Sequence, residues 1–74
     1  MKITTETRAI VKAFREAGIT HTGTTGSHAG YTDKAGRTFR LVAGKKDQSY
    51  GVAKKAWAFI AGDYVKAGIE VGKG

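Results

Sequence analysis

Residues 19–43 read ITHTGTTGSHAGYTDKAGRTFRLVA, and this stretch decides the fold. It is rich in Thr, Tyr, Phe and Val, which favour strands, and two groups of turn-forming residues divide it. Residues 25–27 and 33–36 supply the turns, since each contains a glycine that can adopt the positive φ of a hairpin. The stretch therefore predicts an antiparallel meander of three strands, at 19–24, 28–32 and 37–42.

Alternation along the strands predicts which side chains meet the core, because neighbouring strand residues point to opposite faces. Phe39 and Leu41 share one face, and Tyr31 of the preceding strand joins them. His28 and Arg40 then fall on the opposite face. We expect these two side chains to be exposed neighbours.

A helical pattern of apolar residues lies on each side of the strands. Residues 5–17 place apolar side chains at spacings of three and four, and Gly18 follows as a helix terminator. A second helix is predicted to begin at Ser49 or Tyr50. Gly62 can end it, but the apolar residues Tyr64 and Val65 favour continuation to Gly68. The predicted fold class is therefore α+β, in the order α-β-β-β-α, with a three-stranded antiparallel sheet and both helices packed on one face.

The composition limits the kind of protein. The chain has 74 residues, predicted to form a single domain at 1–74 with a frayed tail at 69–74. It has no cysteine and two histidines, so we expect no disulfide, no metal site and no cofactor. No apolar run approaches the roughly 18 residues that span a bilayer, and residues 1–5 lack the apolar stretch of a signal peptide. A cytoplasmic protein with no membrane partner is expected.

The charge indicates the kind of partner. Thirteen Lys and Arg residues against six acidic residues give a net charge of +7. Such an excess favours a polyanionic partner, with nucleic acid as the first candidate, although a basic surface can also serve only solubility. Lys45, Lys46, Lys54 and Lys55 lie in the loop before the second helix and near its start, where basic side chains oppose the helix dipole. That placement predicts contacts with phosphates.

One tripeptide, Gly26-Ser27-His28, stands at the turn between the first two predicted strands. It is followed by a turn at Gly36-Arg37, a loop with Gly44-Lys45-Lys46 and a lysine-bearing helix after Gly51. In this arrangement the chain resembles the HicA mRNA interferases, from its first helix to about Ile60. The resemblance implies a fold similar to the double-stranded RNA-binding domain, metal-independent cleavage of RNA, and an antitoxin as partner.

His28 is the candidate catalytic residue. RNA carries its own nucleophile, the 2′-hydroxyl, and an imidazole can accept or donate a proton near neutral pH. A basic side chain would stabilise charge on phosphorus, and a serine or a backbone amide would hold a phosphate oxygen. The residues predicted to bind nucleic acid are Ser27, Lys34, Arg37, Arg40, Lys45, Lys46, Lys54 and Lys55.

Alternatives remain open for both histidines and for the function. His28 can instead be a strand-edge histidine that forms hydrogen bonds without catalysis, and His21 can serve as a second acid or base only if it lies beside His28. The family commonly has a further histidine where this chain reads Val42-Ala43-Gly44. The second function is therefore a non-catalytic domain of phage or mobile-element origin that binds nucleic acid or a host protein. A third is an inhibitor that binds an acidic protein surface.

Overall fold

The computed structural model describes residues 3–69 and places one helix on each side of three strands. The elements are α1 at Thr7–Glu16, β1 at Thr20–Thr25, β2 at His28–Thr32, β3 at Thr38–Val42 and α2 at Tyr50–Ile60. The strands form an antiparallel sheet in the order β1-β2-β3. The predicted α+β class and the predicted order of elements are confirmed.

Helix α1 brings the largest buried side chain of the first half of the chain into the core. Its apolar stripe buries Ile10 and Phe14, which lie one turn apart. The Phe14 ring centroid is 5.0 Å from that of Tyr31 and 6.0 Å from that of Phe59. Phe14 therefore connects both helices to the middle strand, and Gly18, at φ +82°, ends the helix turn.

Both helices cover the same face of the sheet. The register pairs Ala29 with Leu41 and Tyr31 with Phe39, so these four side chains share a face. Phe59 of α2 stacks on Phe39 with ring centroids 5.5 Å apart. Within residues 3–69, no helix packs on the other face of the sheet.

Helix α2 ends at Ile60, so the prediction that it continues to Gly68 is wrong. Gly62 adopts φ +84°, and its N–H donates to the Phe59 carbonyl over 3.0 Å, which closes the last turn. The chain then reverses, and the Tyr64 ring packs 5.9 Å from the Phe59 ring. The apolar spacing after Gly62 reflects this return to the core rather than further helix.

Tyr64 also fastens the segment after α2 to the turn between β2 and β3. Its hydroxyl donates to Asp33 Oδ2, and the Arg37 guanidinium lies 5.5 Å from the Tyr64 ring centroid. Asp33 Oδ1 accepts from the backbone N–H groups of Ala35 and Arg37, at 3.0 and 2.9 Å. Burial raises the pKa of Asp33, but these hydrogen bonds and the Arg37 charge outweigh it and hold that pKa below its ordinary value.

The lowered pKa of Asp33 predicts a sensitivity to acid. The stabilisation is complete above the unfolded-state pKa, about 3.9, and is lost as the pH falls through the folded-state pKa. Tyr64→Phe removes one donor and shifts the pKa of Asp33 back towards its ordinary value. We expect this variant to lose less stability than the wild type between pH 7 and about pH 3.

Urea unfolding at the two pH values measures this difference. Tyr50→Phe is the matched control, since Tyr50 is 61% exposed and lies at the start of α2. Equal losses of unfolding free energy in the wild type and in Tyr64→Phe would show that the hydrogen bond from Tyr64 to Asp33 contributes nothing to acid sensitivity.

The end of the described chain returns to the core. Ile69, the first residue of the predicted tail, is half-buried and packs against the core, and its N–H donates to the Tyr64 carbonyl over 2.9 Å. The rest of the predicted tail, 70–74, lies outside the described residues. Within residues 3–69, neither helix has the length and hydrophobicity needed to cross a membrane.

Candidate nucleic-acid interface

The open face of the sheet carries the Gly26-Ser27-His28 element and a basic side chain. The register pairs His28 with Val42 and Gly30 with Arg40, so His28 and Arg40 are diagonal neighbours on one face. Both are exposed, as the alternation predicts. We call this surface the outer face.

A groove of about 200 Å³ runs across the outer face. Its lining comprises Thr22, Gly23, Thr25, His28, Gly30, Thr38 and Arg40. Gly23 pairs with Gly30, so the middle of the groove has backbone as its floor. A Cβ at Gly30 would lie 3.5 Å from the Gly23 carbonyl oxygen, an ordinary contact, so the fold itself tolerates a side chain there. The two glycines therefore leave room for a ligand between His28 and Arg40.

Threonine hydroxyls form a row along the other side of this groove. Thr32 Oγ1 lies 3.3 Å from Thr22 Oγ1 and 2.9 Å from Thr38 Oγ1, so the three strands are joined by side-chain hydrogen bonds. The Thr22 hydroxyl also donates to the Gly30 carbonyl over 3.3 Å. The row presents polar donors and acceptors, which suit phosphate and ribose oxygens.

The turn that precedes His28 is held in place by β3. Gly26 adopts φ +59° in a two-residue connection between the paired residues Thr25 and His28, which fits a type II′ hairpin turn. The Ser27 carbonyl accepts from the Ala43 N–H over 2.7 Å. The pairing of Thr25 with His28 and the hydrogen bond from Ala43 thus hold the turn, and Ser27, immediately before His28, is exposed.

His21 lies on the opposite face from His28. It pairs with Tyr31, and the two ring centroids are 5.2 Å apart on the side of the helices. Its Nε2 is 2.9 Å from Thr24 Oγ1. An irregularity in β1 between His21 and Gly23 separates this residue from the groove. The structure therefore does not bring a second histidine to His28.

The other predicted basic residues do not converge on the groove. Lys45 and Lys46 lie beside the first turn of α1, and Lys54 and Lys55 lie on the side of α2 that faces away from the sheet. Lys34 lines a separate cleft with Tyr64. Arg37 also contacts Tyr64, on the helix side of the sheet. Of the predicted set, His28 and Arg40 line the groove. Ser27 precedes His28 but does not line it, and contacts distant in sequence place the basic residues other than Arg40 elsewhere.

A basic row on α1 was missed by sequence reasoning. Arg8, Lys12 and Arg15 follow one another at spacings of four and three, and all three are exposed. Lys45 and Lys46 lie next to the start of this row. The spacing can be read from the sequence, but the helix was assigned from its apolar stripe and its basic residues were not considered. A second basic surface therefore covers the side of the molecule away from the outer face.

The groove contains one imidazole and one guanidinium, and no carboxylate from the described part of the chain lines it. Among residues 3–69, no three His, Cys, Asp or Glu side chains are grouped so as to hold a metal ion. Comparison of the chain with protein-family models, with curated proteins and with solved structures finds no match. The HicA resemblance stays a prediction, carried by the Gly26-Ser27-His28 element and the order of elements.

Proposed function

We propose that this protein binds RNA across the outer face and cleaves it as a metal-independent endoribonuclease similar to HicA. One observation carries the proposal: His28 and Arg40 line the same exposed groove in a chain of net charge +7. A phosphodiester placed over the Gly23 and Gly30 backbone would have both side chains beside it. The charge of the whole chain would favour the approach of RNA from solution.

The groove offers a simple division of roles. His28 would take the proton of a 2′-hydroxyl, whose oxygen forms a bond to phosphorus while the bond from phosphorus to the 5′-oxygen breaks. The leaving oxygen would receive a proton from water, and the protonated imidazole would return its proton to the solvent, giving one fragment with a cyclic phosphate and one with a free 5′-hydroxyl. Arg40 would stabilise the negative charge on the phosphate oxygens, with hydroxyls of the threonine row as further donors.

A second candidate function is non-catalytic binding of nucleic acid. It is favoured by the surroundings of His28, whose ring makes no side-chain hydrogen bond to another group within the described residues. Catalytic imidazoles are usually oriented by a partner. With His21 on the opposite face, the groove offers one titratable group where acid–base cleavage uses two transfers.

The test is to incubate the purified protein with RNA in EDTA and to measure cleavage and binding together. Cleavage products that end in a cyclic phosphate would support the ribonuclease. Intact RNA with binding that weakens as salt rises would support the non-catalytic function. If neither cleavage nor binding is seen, both functions are wrong. An inhibitor that binds an acidic protein surface would then be the remaining hypothesis.

Arg40→Glu tests whether the groove is the place of binding. Loss of one charge-assisted contact, about 1.5–3 kcal/mol, corresponds to roughly a ten- to hundredfold weaker affinity for RNA. The slope of log affinity against log salt should also fall by about one. Fluorescence anisotropy with a labelled RNA at two salt concentrations measures both changes.

Lys66→Glu is the matched control for Arg40→Glu. It changes the net charge by the same amount, but Lys66 lies in the segment after α2 and not in the groove. We expect only a few-fold loss of affinity from the general charge effect. Equal losses of RNA affinity in the two variants would show that RNA is attracted by overall charge and does not bind in the groove of the outer face.

A further inference from the structure

A larger groove, of about 440 Å³, lies on the other side of the molecule. It is lined by Gly51, Lys54, Lys55, Ala58 and Lys66, and we call it the α2 groove. The residues of α2 that enter the core are Ala53, Ala56 and Phe59, so the groove faces away from the sheet and from the outer face. A ligand in the α2 groove and RNA on the outer face would not compete for space.

The floor of the α2 groove contains a glycine that the fold does not require. Gly51 is helical, its φ is not positive, and a Cβ built there meets no atom within 4 Å. Glycine is also a poor helix former, so alanine would suit α2 better. Gly51 and Ala58 lie seven residues apart on one face, and together they keep the floor open and apolar.

The rim of the groove is basic. Lys54 and Lys55 come from α2, and Lys66 comes from the segment that returns across it. The Lys55 side chain lies along this segment, since its Cδ, Cε and Nζ atoms would be 3.7 Å from a Cβ at Gly68. The aliphatic parts of these lysines extend the apolar floor, and their ammonium groups stand at its border.

This combination selects among occupants. A second copy of the chain is disfavoured, because each copy carries a net charge of +7. Single-stranded RNA would need aromatic side chains for base stacking, and the groove lining has none. An apolar floor between lysines is complementary to a helix that has apolar side chains on one face and carboxylates beside them.

We infer that the α2 groove is a docking site for an acidic amphipathic helix of a partner protein. Apolar side chains of that helix would lie over Gly51 and Ala58, and its carboxylates would pair with Lys54, Lys55 and Lys66. This assigns Lys54 and Lys55 to a protein partner rather than to phosphates. The inference does not depend on RNA binding, because no residue of the α2 groove belongs to the outer face.

The probe for the test is a fluorescein-labelled helical peptide of about 20 residues built from Leu, Ala and Glu, with the leucines on one face. Anisotropy measures its affinity for the full chain, and amide chemical shifts locate it. We expect saturable binding with shifts at Gly51, Ala58 and Lys66 and none at His28 or Arg40. A peptide with serine in place of every leucine, and the same number of glutamates, should bind at least ~10-fold more weakly.

Gly51→Leu is the decisive variant, since its side chain would fill the floor while improving helix propensity. We expect it to lower the affinity for the leucine peptide at least ~10-fold, whereas the affinity of Gly51→Ala should stay within a few-fold of that of the wild type. Circular dichroism checks that both variants are folded. The inference would be overturned if the leucine peptide does not bind or if the serine peptide binds equally well. It would also be overturned if the amide chemical-shift changes centre on Arg8, Lys12 and Arg15. Displacement of the peptide from Gly51 by an RNA oligonucleotide would also overturn it in favour of nucleic acid.

Discussion

His28→Ala is expected to slow RNA cleavage by about 10²- to 10⁴-fold, the usual contribution of a general acid or base. The substitution removes the imidazole from an exposed strand position, where it supports no packing. Arg40 and the threonine row keep their positions on the outer face. RNA affinity should therefore stay within a few-fold of the wild type.

The measurement separates catalysis from binding. Single-turnover cleavage in EDTA gives the rate, and an RNA with 2′-O-methyl groups, which cannot supply the nucleophile, gives the affinity. The matched control is His21→Ala, since His21 lies on the helix side of the sheet beside Tyr31. It should cleave RNA at close to the wild-type rate.

Three outcomes would count against the proposed role of His28. Equal rates in His28→Ala and the wild type would show that another group, or a contaminating nuclease, cleaves the RNA. A loss of rate in His21→Ala as large as in His28→Ala would mean that both histidines act, contrary to their positions on opposite faces. A loss of rate that only follows a loss of affinity would make His28 a binding residue.

Gln48→Leu is expected to lower the free energy of unfolding by about 2–4 kcal/mol, because it leaves two half-buried backbone groups of Val42 and the Thr7 hydroxyl without this partner. Gln48 is 3% exposed although it follows a polar loop. Its Oε1 accepts from the Val42 N–H over 2.9 Å, and its Nε2 donates to the Val42 carbonyl over 3.0 Å and to Thr7 Oγ1 over 2.8 Å. The side-chain amide thus pairs with the end of β3 as a neighbouring strand would.

Such a loss is a large part of the stability of a small domain, about 5–15 kcal/mol in total. Urea unfolding at neutral pH measures it. Gln48→Glu is a second test with a different signature: its carboxylate can accept from the Val42 N–H but faces the Val42 carbonyl with a negative charge. Its deficit relative to the wild type should shrink as acid protonates the carboxyl group and restores a donor.

If Gln48→Leu leaves the free energy of unfolding nearly unchanged, water replaces the side-chain amide and the end of β3 needs no protein partner. The result also bears on the outer face, because Val42 pairs with His28 in the sheet register. If Gln48 stabilises the fold without setting the position of His28, its loss should reduce RNA binding in proportion to the unfolded fraction and no further.

Local patterns predicted most of the fold. The turn at Gly26-Ser27 was identified from its glycine, and the first helix was predicted within two residues of its observed start at Thr7 and within one of its end at Glu16. The shared face of His28 and Arg40 follows from strand alternation and one hairpin register. The prediction of α2 was wrong beyond Gly62, because the apolar residues there fit a continued helix as well as they fit a return of the chain to the core. The contact between Tyr64 and Asp33 shows the return.

The candidate site was harder to predict than the fold. The lysines of the loop and of α2 were predicted to contact phosphates from their charge and their place near the start of the helix, and the packed helices carry them to sides of the molecule away from His28. Gln48 was part of a polar loop in the sequence, and its partners Thr7 and Val42 are 41 and 6 residues away. Neither the distribution of charge nor this buried amide has a local signal.

The sequence by itself determined the approximate strands and helices and the face on which each residue of β2 and β3 lies, because these depend on steric and hydrophobic preferences that repeat every two or three to four residues. Only the tertiary structure decided that two glycines of different strands meet to open a groove, that His21 and His28 are separated by the sheet, and that Gln48 completes the end of β3. These arrangements depend on contacts between residues far apart along the chain. Periodicity assigns residues to faces, but packing selects which faces and which residues come together.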